Sequence, residues 1–186
     1  MATALPIKIV GHPLAVTVTG DDLSNFDGPS TVSGSSGLGQ RNPVGLQALD
    51  DAGNVYIYLP GVASLAQGDF VIYQGINTLA GTATVTRMLN DANTGGAGQV
   101  AMSCSAAVAT CFGWFQIFGL TAAIANIATV AFTLPAALYR SGTTARLSTS
   151  TNAKDAVFGA FTGAASVSNV GQALLNYPFV MDQSTL

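Results

Sequence analysis

The run Val44-Gly-Leu-Gln-Ala-Leu49, Asp50-Asp-Ala-Gly-Asn54, Val55-Tyr-Ile-Tyr-Leu59, Pro60-Gly61 decides the fold class. Two apolar stretches of strand length flank a cluster of Asp, Gly and Asn, residues that accept positive φ where a chain reverses, so the segment reads as a β-hairpin. Pro60-Gly61 ends its second strand. The same rhythm continues downstream, with strands expected at Phe70 to Tyr73 after Gly68-Asp69, at Ala83 to Met88, and, beyond a Gly-rich turn at Asn93 to Gly98, at Gln99 to Cys104 and Phe112 to Phe118. Further strands are expected at Ala128 to Leu134, Arg146 to Ser150, Val157 to Phe161 and Leu174 to Val180. Short strands at close spacing favour a barrel or sandwich over a fold with helices between parallel strands. The one candidate helix is Thr121 to Ala128, which is Ala-rich but short and unpatterned.

Upstream of the hairpin the character changes. Ile7 to Val10 and Leu14 to Thr19 are β-like, the second with Leu14, Val16 and Val18 alternating against Ala15, Thr17 and Thr19. Gly20 to Gln40 is rich in Asp, Ser and Gly and reads as a flexible connection. The chain is therefore expected to be all-β, with an extended N-terminal arm and Gly/Ser-rich linker over residues 1–43 and a small β-barrel or β-sandwich body over 44–186.

Charge sets the functional limits. Only 8% of the 186 residues are charged against 49% hydrophobic, there is no Glu, and no charged side chain lies between Asp91 and Arg140. Ordinary soluble domains carry roughly 25% charged residues, and a nearly uncharged exterior suits a surface that faces other subunits. A net charge of -3 with six scattered Lys and Arg leaves no basic cluster for nucleic acid. Phe112 to Leu138 is the most apolar stretch, but Gly113, Gln116, Gly119, Asn126 and Pro135 interrupt it, so buried strands explain it better than a membrane span of about 20 apolar residues. No basic n-region followed by an unbroken apolar run opens the chain, so no secretion signal is read.

Catalytic chemistry finds little to work with. The single histidine, His12, precedes Pro13 in the arm, the nine Asp stand mostly beside Gly or Asn in turn contexts, and no G-x-S-x-G elbow occurs. The oxygen-rich Gly20 to Gly28 lacks the register and terminal Glu of a calcium loop. Cys104 and Cys111 are too far apart for a C-x-x-C pair and read as small buried hydrophobes. The expectation is a protein that is not an enzyme, with no cofactor and no metal.

What the sequence does concentrate is aromatic residues, around Phe112, Trp114, Phe115 and Phe118. In a strand Trp114 and Phe118 point one way and Phe115 the other, so the fold must either bury both faces or hand one to a partner; Trp114 is expected in the core, and Phe115 is the candidate for an interface. The apolar arm residues Ile7, Ile9, Val10 and Pro13 are expected to lie on a neighbour.

Asp51-Ala-Gly-Asn-Val-Tyr-Ile-Tyr-Leu-Pro-Gly-Val-Ala-Ser-Leu-Ala-Gln-Gly-Asp-Phe70, Phe112-Gly-Trp-Phe-Gln-Ile-Phe-Gly119 and the ending Tyr177-Pro-Phe-Val180 together resemble a group of small tailed-bacteriophage structural proteins, the capsid decoration or cement proteins. The similarity spans roughly residues 44 to 182, and its motifs form the fold without carrying chemistry. The resemblance implies a structural virion protein that binds the outer surface of an icosahedral capsid and stabilises it. It implies the major capsid protein and other copies of itself, as a dimer or trimer, as partners, with assembly in the host cytoplasm. The alternative is a virion-surface binding module, a head fibre base or host-carbohydrate binder, in which exposed aromatics stack on sugars. The arm before residue 43 has no counterpart in that group.

Overall fold

The computed structural model describes residues 8–9, 26–31, 37, 39–88, 97–121, 125–126, 136–140, 146–149, 156–167 and 170–181. Twelve strands account for most of them: β1 (Lys8–Ile9), β2 (Gln47–Leu49), β3 (Val55–Pro60), β4 (Phe70–Asn77), β5 (Thr82–Arg87), β6 (Gly98–Ser103), β7 (Phe112–Leu120), β8 (Ala125–Asn126), β9 (Ala137–Arg140), β10 (Leu147–Ser148), β11 (Ala156–Val167) and β12 (Val170–Val180). Every pairing is antiparallel, and all twelve strands belong to one sheet ordered β1-β2-β3-β7-β6-β12-β11-β9-β10, with β4 on β6, β5 on β4 and β8 on β12. The protein is all-β, as its turn spacing predicts, but its two sheet ends do not pair and no barrel closes. Among the described residues there is no helix. Where a helix was expected over Thr121 to Ala128, Ala125 and Asn126 pair instead with Gly171 and Val170. So short a helix would not repay its nucleation, whereas an adjacent strand offers ready backbone partners. The strands expected at Leu14 to Thr19 and Ala128 to Leu134 lie outside the described residues.

The opening hairpin forms through one carboxylate. Asp50 Oδ1 accepts from the Ala52 and Asn54 amides, both at 2.9 Å, and Oδ2 accepts from Asn54 Nδ2 at 2.7 Å and Tyr56 Oη at 2.9 Å. An Asp side chain that mimics the turn's own backbone is the reason this residue recurs at reversals. β2 and β3 then pair in register, Gln47 with Ile57, Ala48 with Tyr56 and Leu49 with Val55. The segment expected to be linker also enters the body. Phe26 is buried in the core, and Asp27 exchanges two backbone hydrogen bonds of 2.7 Å with Phe112.

Register assigns the faces. Phe70 and Ile72 on β4 stand opposite Met102 and Val100 on β6. They pack with Val157, Ala160, Ala173, Leu175 and Val180 of the β11–β12 hairpin, so the sheet folds over onto itself. The alternate residues Val71, Tyr73 and Ala101 join Phe115, Ile117, Ile57 and Leu59 in a second cluster, around which the sheet curls until β5 approaches β3. Trp114 falls in a third cluster with Tyr56, Tyr58, Ala48 and Cys104, its indole 5.2 Å from the Tyr58 ring in an edge contact. Trp114 is thus buried as the period-two pattern predicts, but Phe115 on the opposite face is fully buried too. A sheet that folds and curls uses both of its faces as core.

One junction makes the folding-over possible. β6 and β7 pair at Met102 with Gln116 and Ser103 with Phe115, and beyond that point they separate. β12 fills the gap: Leu174, Leu175 and Asn176 pair with Leu120, Gly119 and Phe118 of β7, whereas Phe179 and Val180 pair with Gln99 and Gly98 of β6. Between the two pairings Tyr177 takes φ of 45°, a left-handed conformation uncommon in a bulky residue, and Pro178 follows. The partner strand bends at the same level, where Gly159 has φ of 77° and the register slips between Phe158 and Ala160. A Cβ on Gly159 would stand 2.5 Å from the Asn176 carbonyl oxygen.

Two sets of variants test this architecture. Gly159→Ala combines left-handed backbone strain of about 1–2 kcal/mol with a collision against backbone, so its total cost should exceed about 2 kcal/mol. Gly53→Ala, with φ of 81° and no atom within 4 Å of the added Cβ, carries the strain alone and should cost less. Urea denaturation ranks the two, and equal costs would show that the corner does not constrain Gly159. Trp114→Ala and Phe115→Ala should each cost about 3–5 kcal/mol in the same assay, because both remove a large, fully enclosed ring.

Candidate interaction surface

Several buried titratable groups are occupied in holding the fold together. Asp27 is buried and accepts from Tyr58 Oη at 2.5 Å and Arg41 Nε at 2.6 Å, tying the incoming segment to β3. Asp69 is likewise buried, accepting from the Ala66 amide at 2.9 Å and Arg87 Nη2 at 3.1 Å, which secures the turn into β4. Burial, and then the hydrogen bond to Asp27, pushes the Tyr58 phenol well above its ordinary range. Burial, and then the neighbouring Cys104, which ionises only at high pH, and Asp50, does the same to Tyr56. Tyr73 is pushed up to about 12, first by burial and then by the neighbouring Tyr177. Cys104 and Cys111 are free, buried thiols in different clusters. Burial raises Cys104 to about 12, against a smaller lowering by its backbone hydrogen bond from Gln116, so it stays a protonated, unreactive thiol at neutral pH. Among the described residues no group of three or more His, Cys, Asp or Glu could hold a metal ion. His12 lies outside them.

Of the residues expected to make contacts, Ile9 and Phe115 fall among the described residues. Ile7, Val10 and Pro13 lie outside the described residues, and Ile9 pairs with Ala48 in the two-residue β1. Phe115, expected at an interface, is enclosed within the chain itself, at 0% exposure.

Exposed apolar residues gather elsewhere, on the outer face of β11 and β12 and the end of β7. The hairpin buries Val157, Ala160, Leu175 and Val180 on one side and presents Phe158, Phe161, Leu174 and Phe179 on the other. Simple alternation cannot produce that set, since Phe158 and Phe161 are three apart and Leu174 and Phe179 five apart. The bends at Gly159 and Tyr177 shift the phase of each strand, so the apolar side stays outward across the corner. On one side of the corner Phe158 stacks on Phe179, ring centroids 5.2 Å apart and planes at 19°. On the other side Leu120, Leu174 and Phe161 form a cross-strand row. At the corner the Tyr177 ring, 52% exposed, lies 5.4 Å from Phe118.

With Val170 and Met181 this makes nine large apolar side chains, each 36–52% exposed. An aromatic side chain presents about 150–250 Å², so nine partly exposed residues offer on the order of 600 Å². That is the upper end for a free monomer, about 300–600 Å², and approaches the roughly 800 Å² one partner contributes to a stable interface. No charged side chain occurs from Ala156 to Met181. This second uncharged stretch, with Phe158 and Phe161 near its start and Leu174, Tyr177 and Phe179 near its end, is the signal in the sequence that marks the surface. Such a face can bury apolar area against another macromolecule. Compared with protein-family models, curated proteins and solved structures, the chain matches none.

The buried tyrosines predict an alkaline limit on stability. A phenol whose folded pKa exceeds its unfolded value of about 10 stabilises the fold fully below that pH and loses this contribution as pH rises through the folded pKa. With Tyr73 at about 12 and Tyr56 and Tyr58 raised in the same sense, unfolding free energy should fall steadily above about pH 10. Urea titrations over this range measure it. In the still-native protein the tyrosinate absorbance of these three residues should be absent at about pH 10, where a free phenol is half ionised, and its appearance there would contradict the assignment.

Proposed function

We propose that this chain is a non-catalytic structural protein of an assembled particle, a decoration or cement protein seated on the outer surface of a tailed-phage icosahedral capsid. The observation that carries the assembly reading is the broad, uncharged apolar face on the β11–β12 hairpin. A chain that worked alone would gain colloidal stability from charge there, and keeping it apolar is useful where the face is covered. The 8% charge content extends the argument to the whole exterior. The capsid as the particle rests on the sequence resemblance.

The exposed Phe158–Phe179 stack and Tyr177 also invite a carbohydrate-binding reading. Stacking alone does not hold a sugar, whose hydroxyls need hydrogen-bond partners when they leave water. Among the described residues of the hairpin only Asn176 and Gln172 are larger polar side chains, so structural assembly is favoured.

The test is to add purified protein to capsids that lack it. Saturable binding at every equivalent lattice position, together with a raised temperature of capsid disruption, is the expected result. Absence of binding, or occupancy confined to a vertex or fibre, would overturn the cement reading.

A further inference from the structure

We infer that the outer face of the β11–β12 hairpin and the end of β7 meets the same face of a second copy of this chain across a two-fold axis. This rests on the assembly reading above and names the occupant of the exposed face.

Three observations select a second copy. The first is area: the face offers on the order of 600 Å² from its large apolar side chains alone, close to the roughly 800 Å² per partner of a stable complex once flanking atoms are counted. The second is charge. With no charged residue from Ala156 to Met181, the face gives a charged partner nothing to pair with, and burying an unpaired charge is costly. The occupant must therefore bring an uncharged apolar surface of similar extent, and every copy of this chain carries one. The third is the number of such surfaces. The other exposed large apolar side chains among the described residues are Ile76 and Leu79 of the β4–β5 hairpin, too small a pair to serve as the complement. A head-to-tail contact needs two different complementary patches, whereas a two-fold contact needs one that matches itself.

Sedimentation equilibrium of the full chain at micromolar concentration should give twice the 18.8 kDa chain mass. Leu174→Lys, at the centre of the aliphatic row, should weaken association at least 100-fold and return the monomer mass, while Leu79→Lys should leave the dimer unchanged. Hydroxyl-radical footprinting of the unmutated protein above and below its dissociation concentration removes any dependence on the variant folding. Phe158, Phe161, Leu174, Tyr177 and Met181 should be protected in the dimer. A wild-type monomer, a trimer, a dimer that survives Leu174→Lys, or protection mapping elsewhere would each overturn the inference. A monomer that still decorates capsids removes this inference alone, and a dimer that does not bind them removes only the capsid reading.

Discussion

Strands β6 and β7 run antiparallel to each other, yet β12 runs antiparallel to both, which a straight strand cannot do. The conflict is resolved by turning β12 between Asn176 and Phe179, with a left-handed backbone at Tyr177 and a matching bend at Gly159 in β11. Much of the architecture follows from this geometric demand. The turn lets one sheet supply both walls of its own core, with Phe70, Ile72, Val100 and Met102 on one limb and Val157, Ala160, Leu175 and Val180 on the other. It also shifts the phase of each hairpin strand, which is why Phe158, Phe161, Leu174 and Phe179 share the outside.

The buried carboxylates explain how so few charges suffice. Asp27, Asp50 and Asp69 each sit where the chain enters, reverses or restarts, and each accepts several hydrogen bonds from groups that would otherwise be left unsatisfied in the interior. Two of the chain's six cations, Arg41 and Arg87, pair with these buried acids, Arg87 from a partly buried position and Arg41 from an exposed one. The low charge count therefore understates how weakly charged the exterior is.

Local pattern made the opening hairpin and the strands around residues 70, 99 and 112 legible, because Asp, Gly and Pro punctuate runs of β-branched and aromatic residues there. β9 is not legible in the sequence: Ala137-Leu-Tyr-Arg140 is four residues long and, although Pro135 and Ser141-Gly142 bracket it, carries no β-branched residue to mark a strand. β11 runs on through Gly163-Ala-Ala-Ser166, small residues of weak strand preference held by pairing with β12. The surface was harder to read than the fold. Alternation correctly separates Trp114 from Phe115, but which face meets solvent depends on where distant strands land. Phe115 is covered by the curl of the sheet, whereas Phe118, four residues beyond Trp114, emerges where β6 and β7 part.

The place of β12 between β6 and β7 also bears on how the chain comes together in time. β6 and β7 are synthesised before the strand that fills the gap between them, more than fifty residues downstream of β7. Until that strand arrives, their separated ends present unpaired edges, and the cluster around Phe70 lacks its second wall. Contacts so distant in sequence slow folding and lengthen the exposure of sticky intermediates. The protein is therefore expected to complete its native structure late, with its rate set by docking of the hairpin, and to profit from chaperone shelter while that docking is pending.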